Sequence, residues 1–334
     1  MKTSFKWKGL PIKFEERSDG AISLEFREEG KREVSLSTMW ARGRFKHMAE
    51  FVAKAREFGF TGIEAHNSLS PEMLDELIKT SVPISSIHSP CPACLSSEGI
   101  PIAGLSLSSI EETERRQAIG FARKTIDLAS RVGARAIIIH MGEVPVSPNL
   151  EEKLHQLYDE GLAESKEYIQ TREQLISERS FKAPRCLEAA RRSLDELSKY
   201  SKQQGIMLGL ESRFYFHEVP DINEMGELLS GAETNSVGYW HDVGHVEVQQ
   251  RLGFTPHKEW LLRFNDRMIG IHLHDVIGLS DHRAPGKGNV NWGMIAKHLP
   301  QGVIRTCEIG EWNEEEHIRE AIPFLQGTGI IVKG

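Results

Sequence analysis

The sequence predicts a (β/α)8 barrel, on three observations. Short runs rich in β-branched residues alternate with longer segments of helical periodicity. The runs number eight. Three of the helical segments end in Gly59, Gly133 and Gly205, where a helix C-terminus commonly takes a left-handed residue. Eight strands that each precede a helix need crossover connections. They therefore pair in parallel and close on themselves.

In chain order the runs are EVSLSTM (33–39), FTGIEAH (60–66), VPISSIH (82–88), ARAIIIH (134–140), GIMLGLE (205–211), SVGYWHD (236–242), MIGIHLH (268–274) and GVIRTCE (302–308). Helical patterns between them include 44–59, 111–133 and 186–205. Two parts fall outside this rhythm. Residues 1–33 contain IKFEERSDGAISLEF, alternating runs around Asp19-Gly20, which reads as a β-hairpin extension before a barrel at 34–334. Residues 145–184, after strand four, are long, charged and helical in composition, as suits a lid or a contact within a homo-oligomer.

Composition narrows the class. With 39% hydrophobic and 27% charged residues, the 334-residue chain can bury a substantial core. A net charge of −7 counts against non-specific nucleic-acid binding. The opening MKTSFKWKGLPIKFEERSDG has lysines but no apolar stretch after them, so no signal peptide is expected. No apolar run approaches the roughly 20 residues of a membrane span. Four cysteines do not make a disulfide framework, and Cys91-Pro-Ala-Cys94 reads as an ordinary loop. The expectation is a cytoplasmic protein that works away from membranes.

The strand ends carry the chemistry. Glu64 and His66, His88, His140, Glu211, Asp242, His272 and His274, and Glu308 close seven of the eight runs or stand within a residue or two of their ends. In a (β/α)8 barrel these ends converge on one mouth. Three carboxylates there (Glu211, Asp242, Glu308) would resist ionising together, and a divalent cation removes the conflict. Mixed carboxylate and imidazole ligation suits manganese, iron, cobalt or zinc better than calcium. His245, just past strand six, has three candidate roles: holding a second metal, orienting Asp242 or shuttling a proton. Glu64 is a candidate for a substrate hydroxyl and equally for a satisfied structural glutamate. His66 is expected in the pocket wall, and Arg213 and Lys287 on polar or anionic parts of a substrate. Trp40 and Trp312, just beyond strands one and eight, are candidates to flank a sugar ring or to pack in the core. Gly286-Lys-Gly288 reads as a turn.

LGLESRF (208–214), HDVGH (241–245), IHLHD (271–275), DHRAPGKGNVNW (281–292) and TCEIG (306–310) together resemble the xylose isomerase-like barrel superfamily over roughly residues 34–327. That superfamily includes sugar and sugar-phosphate isomerases and epimerases, and endonuclease IV. The resemblance implies one metal (manganese, cobalt or zinc) on Glu211, Asp242, His272 and Glu308, with His274 behind them. His88, His140, His245 and His282 match positions that hold two or three zincs in endonuclease IV. Here Ser280 stands where that pattern has Asp, with Asp281 displaced by one.

The expected function is a metal-dependent isomerase or epimerase acting on a sugar, sugar phosphate or related polyol through an enediolate. Glu211 and Glu308 would move the carbon-bound proton, and His245 or His274 would relay protons between oxygens. One alternative is an endonuclease IV-type zinc phosphodiesterase acting on abasic DNA, with Arg42, Arg44, Lys46, Arg213, Phe214, Tyr215, Arg283 and Lys287 as its rim. Another is a non-catalytic barrel subunit of a complex.

Overall fold

The computed structural model describes residues 33–147 and 149–332, together with the backbone of 2–7, 10–16 and 22–26. Eight strands form a closed parallel barrel: β1 (Ser35–Ser37), β2 (Gly62–Ala65), β3 (Ile84–His88), β4 (Ala136–Ile139), β5 (Met207–Glu211), β6 (Val237–Asp242), β7 (Met268–His272) and β8 (Ile304–Cys307). Each pairs with the next, and β8 pairs with β1 through Thr306–Ser35 and Cys307–Leu36. All eight expected strands are present, each within its expected run.

Alternation along the strands divides the core in two. Ile137 and Ile139 of β4 face the helices and join the main apolar cluster. Ala136 and Ile138 face inward and pack with Trp240 and Ile304. Trp240 fills the barrel's middle because its neighbouring strands offer glycine there. A Cβ on Gly209 would lie 2.7 Å from the indole, and one on Gly270 would lie 2.1 Å from it. The indole in turn supports the His272 ring, edge to face at 5.2 Å.

Helices wrap the barrel. Three are α1 (Met48–Glu57), α2 (Pro71–Lys79) and α3 (Glu112–Val132). The segment after β4 departs from expectation. It holds α4 (Asn149–Asp159) and then α5 (Lys166–Gln204), one unbroken helix of 39 residues. The second half of the proposed insertion is therefore the start of the return helix. Its buried Arg179 ties down the loop after β5, donating to the carbonyls of Phe216 (2.7 Å) and Glu218 (2.8 Å) and pairing with Glu224. The remaining helices are α6 (Ile222–Ser230), α7 (Val243–Arg251), α8 (His257–Phe264), α9 (Trp292–His298) and α10 (Glu315–Thr328). Gly133 and Gly205 cap α3 and α5 with φ of 75° and 71°.

In the N-terminal extension, Leu10–Glu16 and Ile22–Phe26 pair antiparallel with Glu16 opposite Ile22. The expected turn at Asp19-Gly20 lies outside the described residues. A further strand, Lys2–Trp7, pairs with Leu10–Glu16 and makes a three-stranded sheet where two strands were expected. Among the described residues no helix is long and apolar enough to cross a membrane.

The close contact at Gly270 is testable. Gly270→Ala sets a methyl against a rigid, enclosed indole, so the substitution is expected to cost about 1–3 kcal/mol, read as a lower denaturant midpoint at unchanged slope.

Candidate metal centre

β5, β6 and β7 end on Glu211, Asp242 and His272, and Glu308 stands one residue past β8. All four side chains are buried, and one donor atom from each lies within 4.8 Å of the others. The meeting point is His272 Nδ1, which is 2.6 Å from Glu211 Oε1, 3.2 Å from Glu308 Oε2 and 3.3 Å from Asp242 Oδ2. The other ring nitrogen, Nε2, lies 3.1 Å from Glu64 Oε1. Glu64 also accepts from Ser86 Oγ at 2.7 Å. Glu64 is thus fully buried behind His272, which is the structural one of the two roles expected for it. It fixes the ring so that Nδ1 faces the carboxylates, and with Nε2 donating to Glu64 the Nδ1 lone pair would be available to a cation held among them.

Asp242 doubles as the N-cap of α7, where Oδ1 accepts the His245 N–H at 2.7 Å. The Asp-x-x-His spacing is therefore also a helix start. Ser212 accepts the Asp242 N–H on Oγ, and its carbonyl faces His245 Nδ1 at 3.0 Å. That leaves His245 Nε2 turned toward Asp281 Oδ2, 3.7 Å away. His241, on the opposite face of β6, points into the helix layer and bonds Tyr239 and His257.

Glu211 is held from both sides. Its Oε2 accepts from Arg213 Nη1 at 2.9 Å and from His140 Nε2 at 2.5 Å, with His88 Nε2 at 3.7 Å. Arg213 is buried, and its other face is spent on Glu218, with Nε at 3.1 Å. It positions Glu211. Lys287 pairs with Glu320 of α10. His66 stands in the pocket wall, with Nδ1 on Ser68 and Nε2 3.8 Å from Glu308 Oε1. His282 turns its own Nδ1 to the Glu308 carbonyl at 3.1 Å. The histidines therefore form further groups, His88–His140–Glu211, His66–His88–Glu308 and His245–His274–His282.

Two residues that sequence reasoning passed over hold the mouth together. Buried Asp275 accepts from the backbone of Val276, Gly286 and Val290 and from Trp292 Nε1, all within 2.9–3.0 Å. The Gly286–Gly288 turn is wrapped on this carboxylate, and a Cβ on Gly288 would lie 2.4 Å from it. The Asp of HLHD was the available signal. Buried Asn313 joins three loops, donating to the carbonyls of His282 and Gly310 and accepting from Ala284 N and, on its own carbonyl, from Trp40 Nε1. Trp40 is fully buried among Phe45, Phe51 and Phe58, whereas Trp312 is 53% exposed. Burial pushes the Cys91 thiol up to about 12, so it is inert at neutral pH, and Cys94 is unpaired.

The electrostatics suit a cation. Burial pushes Glu308 well above the usual carboxylate range, reinforced by Glu211, Glu64 and Asp242 and opposed by His272. Burial opposes the charge on His272 as well, yet Glu308, Glu64 and Glu211 raise it well above its usual value. With no ion, the centre must take up protons where three carboxylates meet. A divalent ion of mixed oxygen and nitrogen preference fits the same space and donor set.

The comparisons agree with this architecture. A family model described as xylose isomerase-like TIM barrel matches residues 52–328. An uncharacterized protein of Methanocaldococcus jannaschii is 23% identical over 218 residues, 63% of this chain and 68% of that protein. A D-allulose 3-epimerase from Methylomonas sp. is similar with a TM-score of 0.61 at 15% identity, covering 89% of this chain and 97% of that one. A D-psicose 3-epimerase from Clostridium cellulolyticum H10 is similar with a TM-score of 0.62 at 14% identity, covering 89% and 99%. At these identities the likeness is one of fold.

Two outcomes are expected. Glu64→Ala frees the His272 ring and weakens divalent-metal affinity about 10- to 100-fold, measured by competition with a chelator, and Glu64→Gln loses less. Beside the mouth, burial opposes charge on His217, but hydrogen bonds with Glu143 and Glu151 outweigh it and raise the imidazole to about 9. A raised folded value means that its stabilisation is full below the unfolded value of about 6.5 and lost as pH rises through about 9. His217→Ala should therefore lower unfolding free energy clearly at pH 6 and little at pH 10.

Proposed function

We propose, from the premise that this chain belongs to the xylose isomerase-like TIM barrel family, that it is a metal-dependent isomerase or epimerase of a sugar, sugar phosphate or related polyol. The observation that carries the reading is the meeting of Glu211, Asp242, His272 and Glu308 within 4.8 Å at the strand-end mouth. Manganese, cobalt or zinc would be held there. Bound, such an ion supplies the positive charge that stabilises the oxygens of an enediolate.

The chain's own residues divide the remaining work. Glu211 is fixed on Oε2 by Arg213 and His140, so it offers Oε1 to the centre and has little freedom to move. Glu308 has no such clamp among the described residues: its Oε1 lies 3.8 Å from His66, and its Oε2 lies 3.2 Å from His272 Nδ1 and 3.8 Å from His282 Nδ1. Glu308 is accordingly the group that takes the carbon-bound proton and returns it. Burial and the neighbouring imidazoles push His66 well below its usual range, and burial together with Arg213 and His88 pushes His140 down to about 3. Both are neutral at pH 7 and suited to hydrogen-bonding substrate hydroxyls. The four unpaired cysteines fit the reducing cytoplasm as the place of action.

A second reading, phosphodiester hydrolysis with more than one ion, is favoured by the group His88–His140–Glu211, which shares Glu211 with the quartet. Against it stand the chain's net charge of −7 and the engagement of rim cations, Arg42 with Glu311 and Lys287 with Glu320.

The metal-loaded protein, incubated with a panel of sugars in deuterated water, is expected to place solvent label on carbon. Chelation should abolish this, and Glu308→Gln should reduce it at least about 100-fold, within the range a positioned acid–base group contributes. No exchange across ketoses, aldoses and their phosphates, with nicking of abasic duplex DNA instead, would replace the first reading with the second.

A further inference from the structure

His245, His274 and His282 lie close enough to look like a cation site of their own. The hydrogen bonds of His274 take it out of that group. His274 is fully buried, and its Nε2 lies 2.9 Å from Oδ1 and 3.0 Å from Oδ2 of Asp242. Its Nδ1 accepts the backbone N–H of His282 at 2.8 Å. A ring nitrogen that receives an N–H keeps its lone pair for that bond. The proton of the imidazole then sits on Nε2 and is donated to Asp242. Both nitrogens are spent, and neither is left for an ion.

The amide that sets this tautomer is itself held in an uncommon conformation. His282 has φ of 49°, in the left-handed region that a non-glycine residue seldom occupies. Such a conformation persists only where its surroundings over-determine it. Here the His282 carbonyl accepts from Gly310 N at 2.9 Å and from Asn313 Nδ2 at 2.9 Å, while its ring Nδ1 meets the Glu308 carbonyl at 3.1 Å. The hairpin of Asp275–Ile277 and Ser280–Arg283 carries His282, and Arg251 of α7 grips the hairpin's turn through the Gly278 carbonyl at 2.7 Å. Each bond aims the His282 N–H at His274. A Cβ on Gly244 would lie 2.1 Å from the His274 ring, so the ring is also confined from the α7 side.

We propose that His274 is a positioning residue for Asp242, turned by the main chain of His282, and that it orients the metal's carboxylate instead of binding an ion. The inference rests on the metal reading of the quartet and deepens it. It makes the loop after β7 a determinant of metal affinity, although that loop supplies no ligand to the quartet.

The test uses the full chain and reads metal binding alone: ions per chain by elemental analysis, and manganese and zinc affinity by chelator competition. His274→Ala should weaken affinity about 10- to 100-fold, and His274→Gln, whose amide can still donate to Asp242, should recover most of it. His282→Gly keeps the amide and relieves the φ, so affinity should stay within about threefold of native, well short of the loss expected on removing a supporting group. If His274→Ala does not fold, the other two variants still decide. Native-like affinity in His274→Ala, or a loss of about 10- to 100-fold in His274→Gln or in His282→Gly, would overturn the proposal and leave the quartet standing. A native chain that binds no divalent ion would overturn both.

Discussion

Like-charge repulsion at the barrel mouth is the constraint that organises this molecule. Glu211, Asp242 and Glu308 converge on His272 Nδ1 at 2.6–3.3 Å, all out of contact with water. At an effective dielectric of about 20, two unit charges about 4 Å apart repel by about 4 kcal/mol. No packing arrangement removes that cost, so the centre needs either protons or a cation. The raised values of Glu308 and His272 are the proton solution, and the divalent ion is the other.

The surroundings follow from keeping those carboxylates in place. Three of the four site residues have an outer partner: Arg213 and His140 on Glu211, His274 on Asp242, and the Glu64–Ser86 pair on His272. Those partners are themselves fixed. Glu218 holds Arg213, the His282 amide holds His274, and Trp240 supports His272 from the barrel interior. Glu308 is the exception, with no comparable clamp among the described residues, and its proposed role in proton transfer rests on that asymmetry.

The barrel supplies the rigidity this requires. Parallel strands set the register of the ends that carry the site, and Gly209 and Gly270 open the space that Trp240 fills. Above the strands, Asp275 and Asn313 convert loops that would otherwise be mobile into hydrogen-bonded fixtures, joining segments that follow β1, β7 and β8.

The sequence by itself determined the barrel, because helix and strand periods and glycine stops are local signals readable within about twenty residues. It also brought Glu211, Asp242, His272 and Glu308 to one mouth, since strand ends in this architecture converge wherever they stand in the chain. Only the tertiary structure decided what each remaining polar group touches. Arg213 and Lys287 read as free cations until Glu218 and Glu320 stand beside them, and Glu64 read equally as a substrate contact and a structural glutamate until His272 closes over it. The tautomer of His274 depends on one backbone N–H eight residues away, in a left-handed conformation that the local sequence does not announce. Hydrogen-bond partners are chosen by position in space, and a linear pattern carries the period of an element but not the neighbour that completes it.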